Sequence, residues 1–189
     1  LSNVNGHIEP MPRLAEIAHR HGAYVYADVI QAAGIIPIDV GSLGIDFAAG
    51  NGYKWLYGPH GTGFLYVRRE LQGAALEDRL FPGSARHNYE PWVDRVDDEA
   101  AELAYRAPSD ASRYQPGHVS YLGYAAVHAG LQFLEDIGID AARRHSVELA
   151  RRLYAAVDPV RYPCISPHRD ESPIISFRVP DAGSLAERL

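Results

Sequence analysis

Lys54 is the only lysine in a chain of 189 residues that also carries 17 arginines. An amine can shed its proton in a shielded site and add to a carbonyl, which a guanidinium cannot do. An arginine-biased composition would also leave a single lysine by chance, so its surroundings must decide. Asp28 lies 26 positions earlier. Both residues follow short runs of strand-forming residues, Ala23-Tyr24-Val25-Tyr26-Ala27 and Phe47-Ala48-Ala49. In an open α/β sheet, ligands bind beyond the carboxyl ends of the strands, where neighbouring loops converge. A carboxylate and an amine at two such ends could face each other across a small ligand. A structural ion pair explains the same two residues equally well.

Further residue types cluster near the pair. Gln31 could bring an amide to the ligand that Asp28 meets, and Tyr53 offers a phenol beside the lysine. Gly50 and Gly52 let the backbone approach closely. A glycine-rich turn follows, Trp55-Leu56-Tyr57-Gly58-Pro59-His60-Gly61-Thr62-Gly63. Each signal is weak alone: Asp-x-x-Gln is common, and the turn lacks the Gly-Lys-Ser/Thr ending of a phosphate loop.

The elements that must position these residues can be read from periodicity. Pro10 and Pro12 suit a helix start, Met11, Leu14, Ile17 and Ala18 share a face, and His21-Gly22 ends the run. Strands are expected at 23–27, near 47–49 and at 63–67, with Tyr24, Tyr26, Phe47 and Phe64 as core residues. Helix and strand alternate, as in an α/β fold with a mostly parallel sheet. The stretch from Gln72 to Ser112, with Pro82-Gly83-Ser84 and the acidic Asp97-Asp98-Glu99, reads as loops. Apolar residues from Tyr121 to Ile137 recur at helical spacing up to Gly138. A second helix is expected over Ala141 to Val157, a strand at 174–177 and a helix from Ser184 onward.

Composition limits the partners. The net charge is −6, and no Lys/Arg cluster is present, which argues against nucleic acid or an anionic membrane and favours a small molecule. The single cysteine, Cys164, excludes an internal disulfide and reads as a small buried hydrophobe; its lack of partners fits a cytoplasmic compartment. No apolar run reaches the roughly 20 residues of a membrane span. His19 and His21 point to different helix faces, so no metal site is expected.

In this order and spacing, five segments resemble the fold-type I enzymes that depend on pyridoxal phosphate, specifically the class V aminotransferase and cysteine desulfurase-like group. They are Ser2-Asn3-Val4-Asn5-Gly6, Asp28-Val29-Ile30-Gln31, Gly52-Tyr53-Lys54-Trp55, the turn from Gly58 to Gly63, and Arg113-Tyr114-Gln115-Pro116-Gly117. The tyrosine before the lysine is similar to kynureninase-like members, where many relatives carry histidine. The resemblance implies an enzyme with pyridoxal 5'-phosphate as cofactor and an amino acid as substrate, working as a homodimer. It implies that Lys54 forms a Schiff base with the cofactor and moves the substrate α-proton, and that Asp28 keeps the pyridine nitrogen protonated. By the same likeness, Asn3 and Gln31 contact the phenolic oxygen of the ring, and Tyr53 the phosphate. It also implies residues 1–120 as a cofactor-binding large domain, 121–137 as a connecting helix and 138–189 as the start of a small α+β domain.

The pattern has departures. His118 stands where the family commonly has a threonine that reaches the partner's phosphate. Cys164 falls too early for the desulfurase nucleophile. The ring-stacking residue and first phosphate loop are expected before Leu1, and the arginine that grips the substrate carboxylate after Leu189, making this a central fragment. Lyase, desulfurase, transaminase and epimerase share the residues present. The alternative is a non-catalytic fragment or subunit that needs a complementary chain to form a site.

Overall fold

The computed structural model describes residues 1–73, 110–115 and 117–187. Most of the stretch read as loops between Gln72 and Ser112 lies outside them, as do Pro116 and the last two residues. The first helix, α1, spans Met11–Arg20, with a proline in its first turn and Gly22 just past its end at φ +69°. Its Ala15 is buried, and Met11 packs against Val29, Ile45 and Ala48 of the core.

Three strands form one sheet in the order β1 (Tyr26–Asp28), β2 (Phe47–Asn51), β3 (Gly63–Val67). β1 and β2 are parallel, with Asp28 opposite Ala49, whereas β3 runs antiparallel to β2, with Asn51 opposite Gly63. Two of the three strands therefore share a direction, and the glycine-rich turn starts at the same end as Asp28. Two further helices follow, α2 (Tyr121–Ile137) and α3 (Ile139–Ala156), and a short α4 (Ala182–Ala186). Ser120 caps α2 by accepting from the Gly123 N–H at 3.1 Å, and Gly138 at φ +77° turns the chain into α3.

Several expectations need correction. β1 begins at Tyr26 rather than Ala23, because the Asp46 side chain takes the Val25 N–H. Residues 174–177 form no strand; a single bridge joins Cys164 to Phe177, and Cys164 is only half-buried. Tyr24, Tyr26 and Phe64 are 50, 62 and 40% exposed. In a strand, alternate residues face opposite ways. Ala27, Ala48 and Tyr66 lie level with one another and turn to the core cluster, whereas Tyr26 and Asp28 point the other way; Phe64 shares the side of Tyr66 but sits at the strand's start, over Gly50.

Asp46, at the head of β2, is 1% exposed and joins three elements. Its Oδ2 accepts from the Val25 N–H and from His19 Nε2 of α1, both at 2.7 Å, and its Oδ1 meets the Arg68 guanidinium at 3.0 Å. Burial alone would raise this carboxyl. The Val25 N–H, the His19 ring and Arg68 together outweigh it, so the group titrates below its ordinary range.

Helix α2 lies on the loop after β2 through its smallest residues. A β-carbon at Gly123 would stand 2.8 Å from the Thr62 methyl, and one at Gly130 would collide with the Leu56 carbonyl oxygen. Val127 fills the space over Gly58, where a β-carbon would come within 2.5 Å of its methyl group.

Two outcomes are expected in urea titrations of the purified protein. Asp46→Asn should lose about 2–4 kcal/mol at neutral pH, because an amide cannot accept from all three donors and Arg68 loses its counter-charge. A lowered carboxyl contributes stability that is fully present above about pH 4 and disappears as pH falls through the folded value. The acid limb of stability should therefore be shallower in Asp46→Asn. Gly130→Ala gains about 1 kcal/mol of helix propensity, but the backbone of the loop must move, and a net loss of about 1–3 kcal/mol should result. A gain in stability would mean that α2 does not seat on Leu56.

Candidate active site

Asp28 sits at the carboxyl end of β1, where its Oδ1 accepts the Ile30 N–H at 2.9 Å. That bond turns the chain, and the Val29 N–H still reaches the Ala49 carbonyl at 2.9 Å, tying the turn to β2. Residues 29–36 then coil through bonds from the Ala32 and Ala33 N–H groups to the Val29 carbonyl, leaving Gln31 half-buried. Within the coil, Gly34 takes φ +96°, and a β-carbon there would lie 2.5 Å from the Trp55 carbonyl oxygen. The segment with Asp28 and Gln31 is thus packed directly against the residue that follows Lys54.

The lysine loop closes on itself. The Gly52 N–H donates to the Thr62 carbonyl at 2.9 Å, the Gly58 N–H to the Gly52 carbonyl at 2.8 Å, and the Thr62 hydroxyl to the Pro59 carbonyl at 2.7 Å. Within it, Tyr57 adopts φ +58°, a left-handed conformation rare for a residue with a side chain. Its ring meets Phe133 of α2 edge-on at 5.5 Å. Lys54 is half-buried, and its ammonium lies 5.8 Å from the centre of the Tyr53 ring. Tyr53 is 37% exposed and stacks on His60, with centroids 4.3 Å apart and planes at 24°.

Asn3 is exposed on a turn closed by the Ser2 N–H to the His7 carbonyl at 2.8 Å and the Gly6 N–H to the Ser2 carbonyl at 3.1 Å. The turn rests on the C-terminal region: the Ser176 hydroxyl donates to the Val4 carbonyl at 2.7 Å, and His7 Nδ1 lies 3.1 Å from His168 Nε2. Its flanks, Leu1 and Ile8, line a cavity of about 370 Å³ together with Asp28.

A larger cavity, of about 710 Å³, opens over the uncovered face of the sheet. Asp28, Ile30, Gly50 and Phe64 line it, together with Gln115 and Tyr124 from the far side. A β-carbon at Gly50 would come 3.1 Å from the Phe64 ring and 3.5 Å from the Ile30 nitrogen, so glycine keeps this part of the wall open. Of the five residues singled out in the sequence, Asp28 lines this cavity. Gln31, Tyr53 and Lys54 lie within three residues of its wall in the chain, and neither they nor Asn3 are among its wall residues. Sequence reasoning missed Ile30, because an apolar residue between Asp28 and Gln31 carries no chemical signal. It also missed Tyr124, whose hydroxyl donates to the Gly63 carbonyl at 2.6 Å and fastens α2 to the start of β3. A tyrosine in a helix of apolar spacing reads as core.

The family model described as "Aminotransferase class-V" matches residues 1–186. A protein of Halalkalibacterium halodurans named "Probable cysteine desulfurase" is 32% identical over 181 residues, which are 96% of this chain and 41% of that protein. A protein of Deinococcus radiodurans named "Kynureninase" is 29% identical over 95% of this chain and 43% of its own length. The apo structure of a cysteine desulfurase from Thermococcus onnurineus NA1 superposes with a TM-score of 0.81 at 27% identity, over 100% of this chain and 46% of that one. The chain thus spans less than half the length of each relative. With a match running almost end to end, and with the α/β fold shared, the chain belongs to the class V aminotransferase family.

Proposed function

We propose that this chain supplies the lysine side of a pyridoxal 5'-phosphate site in an enzyme that acts on an amino acid, as a class V lyase or transferase. The observation that carries the reading is the packing of the Asp28–Gln31 turn against the lysine loop through Gly34 and Trp55, at the carboxyl ends of parallel strands.

The residues fit the cofactor in chemistry. Lys54 is the one side chain here that can condense with an aldehyde, and Asp28 is a carboxylate on the wall of a cavity kept open by Gly50. When bound, the cofactor supplies an electron sink for the bonds of the substrate α-carbon. Lys54 would hold it at its aldehyde carbon, and the same Nζ could take the α-proton. Asp28 would keep the pyridine nitrogen protonated, Asn3 and Gln31 would orient the ring through its phenolic oxygen, and the Tyr53 hydroxyl would donate to the phosphate. Residues 1–120 would form the large domain, α2 the connection and 138–189 the start of the small domain, in a homodimer. Cysteine and kynurenine are the substrates to test first, from the names of the relatives.

A second reading has one observation in its favour. Tyr26 and Leu65 expose 62 and 45% of their surface on the face that bears Asp28, an apolar surface of the kind that a partner covers. On this reading the chain is a fragment or subunit whose site is completed by a complementary polypeptide. A compact dimer in light scattering favours the first reading; association only with a second chain favours the other.

Borohydride reduction after incubation with pyridoxal phosphate should fix the cofactor to the wild type, and to neither Lys54→Ala nor Lys54→Arg. Cofactor fixed in Lys54→Ala removes Lys54 from its role. In the full-length enzyme, Asp28→Ala should still fix the cofactor while turnover falls by about a hundredfold or more. Unchanged turnover would remove Asp28 from the reaction.

A further inference from the structure

The glycine-rich turn holds one side chain that the proposed site leaves unused. His60 is exposed, yet its ring stacks on Tyr53 at 4.3 Å with only 24° between the planes. The backbone on both sides of this stack is clamped. Gly52 is bonded to Thr62 and to Gly58, and Thr62 to Pro59, so Tyr53 and His60 each lie next to a fixed position. Pro59 restricts its own φ, and Gly61, at φ +82°, takes a conformation that a side chain would disfavour. The turn is therefore built to bring the imidazole onto the phenol.

A phenol on an exposed loop has several χ1 rotamers available, and a planar partner against its face selects one. The same Tyr53 ring has the Lys54 ammonium 5.8 Å from its centre. Fixing the ring therefore sets where the Tyr53 hydroxyl stands relative to the backbone that carries Lys54. Two anchors for one small molecule are useful only when their separation is set in advance, since otherwise binding must order them.

We propose that His60 is a positioning residue: by stacking on Tyr53 it holds the phenol where it donates to the cofactor's phosphate. The inference rests on the pyridoxal-phosphate reading above and adds to it the residue that sets the phosphate contact. His60 makes no contact with the cofactor itself. Because both rings are largely outside the core, loss of the stack should leave folding intact.

The test compares pyridoxal 5'-phosphate with pyridoxal, which lacks the phosphate, by titrating visible absorbance in the wild type and in Tyr53→Phe, His60→Ala and His60→Phe. His60→Ala should weaken pyridoxal phosphate by about three- to tenfold and leave pyridoxal unchanged, with an unaltered urea midpoint. His60→Phe, which restores a flat partner without an imidazole, should return affinity to within about twofold of the wild type. Tyr53→Phe should match or exceed the loss in His60→Ala. An unchanged Kd in His60→Ala, an equal loss for both ligands, or a failure of His60→Phe to restore binding overturns the proposal. Failure of the parent reading looks different: the wild type then binds neither aldehyde, or binding survives in Lys54→Ala, and His60 loses its role with it. If Lys54-dependent binding persists while Tyr53→Phe has no effect, the cofactor reading stands and the positioning role falls.

Discussion

Asp46 is the constraint on which the rest of the arrangement depends. A carboxylate 1% exposed is tolerated only where donors replace water, and here they come from three different elements: α1 through His19, the approach to β1 through Val25, and the residue after β3 through Arg68. All three bonds meet at the amino end of β2. Holding the strands there sets their register, and the register places Asp28 beside Ala49 and Asn51 beside Gly63 at the opposite end. The chemistry proposed for Lys54 and Asp28 therefore depends on a polar contact at the far end of the same strand.

Much of this was legible in the sequence because the signals were local. Pro12 and Gly22 mark the ends of α1, Gly138 ends α2 where its apolar spacing stops, and β3 coincides with its run of Gly-Phe-Leu-Tyr-Val. What could not be read was nonlocal. β1 starts late because a residue 21 positions away takes its backbone donor. The pattern at 174–177 suited a strand, but without a continuous partner only the Cys164–Phe177 bridge formed. The exposed Tyr24 and Tyr26 have strand propensity, which says nothing about whether anything covers their face. For the site, the order and spacing of Asp28, Gln31, Tyr53 and Lys54 were visible. The glycine contacts that bring their segments together were not, because a glycine's neighbours across the fold leave no mark in its surroundings in the chain.

The lysine loop also carries local costs that a purely structural loop would avoid. Tyr57 is held at positive φ, and the indole N–H of Trp55 is buried without a hydrogen-bond partner among the described residues. Each is worth on the order of 1–3 kcal/mol. Both lie within three residues after Lys54, and both are enforced by packing: Phe133 and Gly130 over Tyr57, and Gly34 against Trp55. Local rules that fail at one place, with the surroundings built to maintain the failure, point to a loop shaped for a task.

That shape has a specific mechanical character. The backbone around Lys54 is fixed by the bonds among Gly52, Gly58 and Thr62 and by the seat of α2 on Leu56, whereas the side chain is half-buried and leans on an exposed ring. A rigid Cα with a four-carbon stem gives the amine a defined origin and a small range of positions. A group that first anchors a ligand and then carries a proton a short distance needs both properties, and a shorter or fully packed side chain would supply only the first. Placing the aromatic stack beside that stem narrows the range without removing it, because a ring face attracts a cation weakly, by about 0.5–1 kcal/mol at an exposed site. Such an attraction biases where the amine rests and yields readily when a carbonyl competes for it.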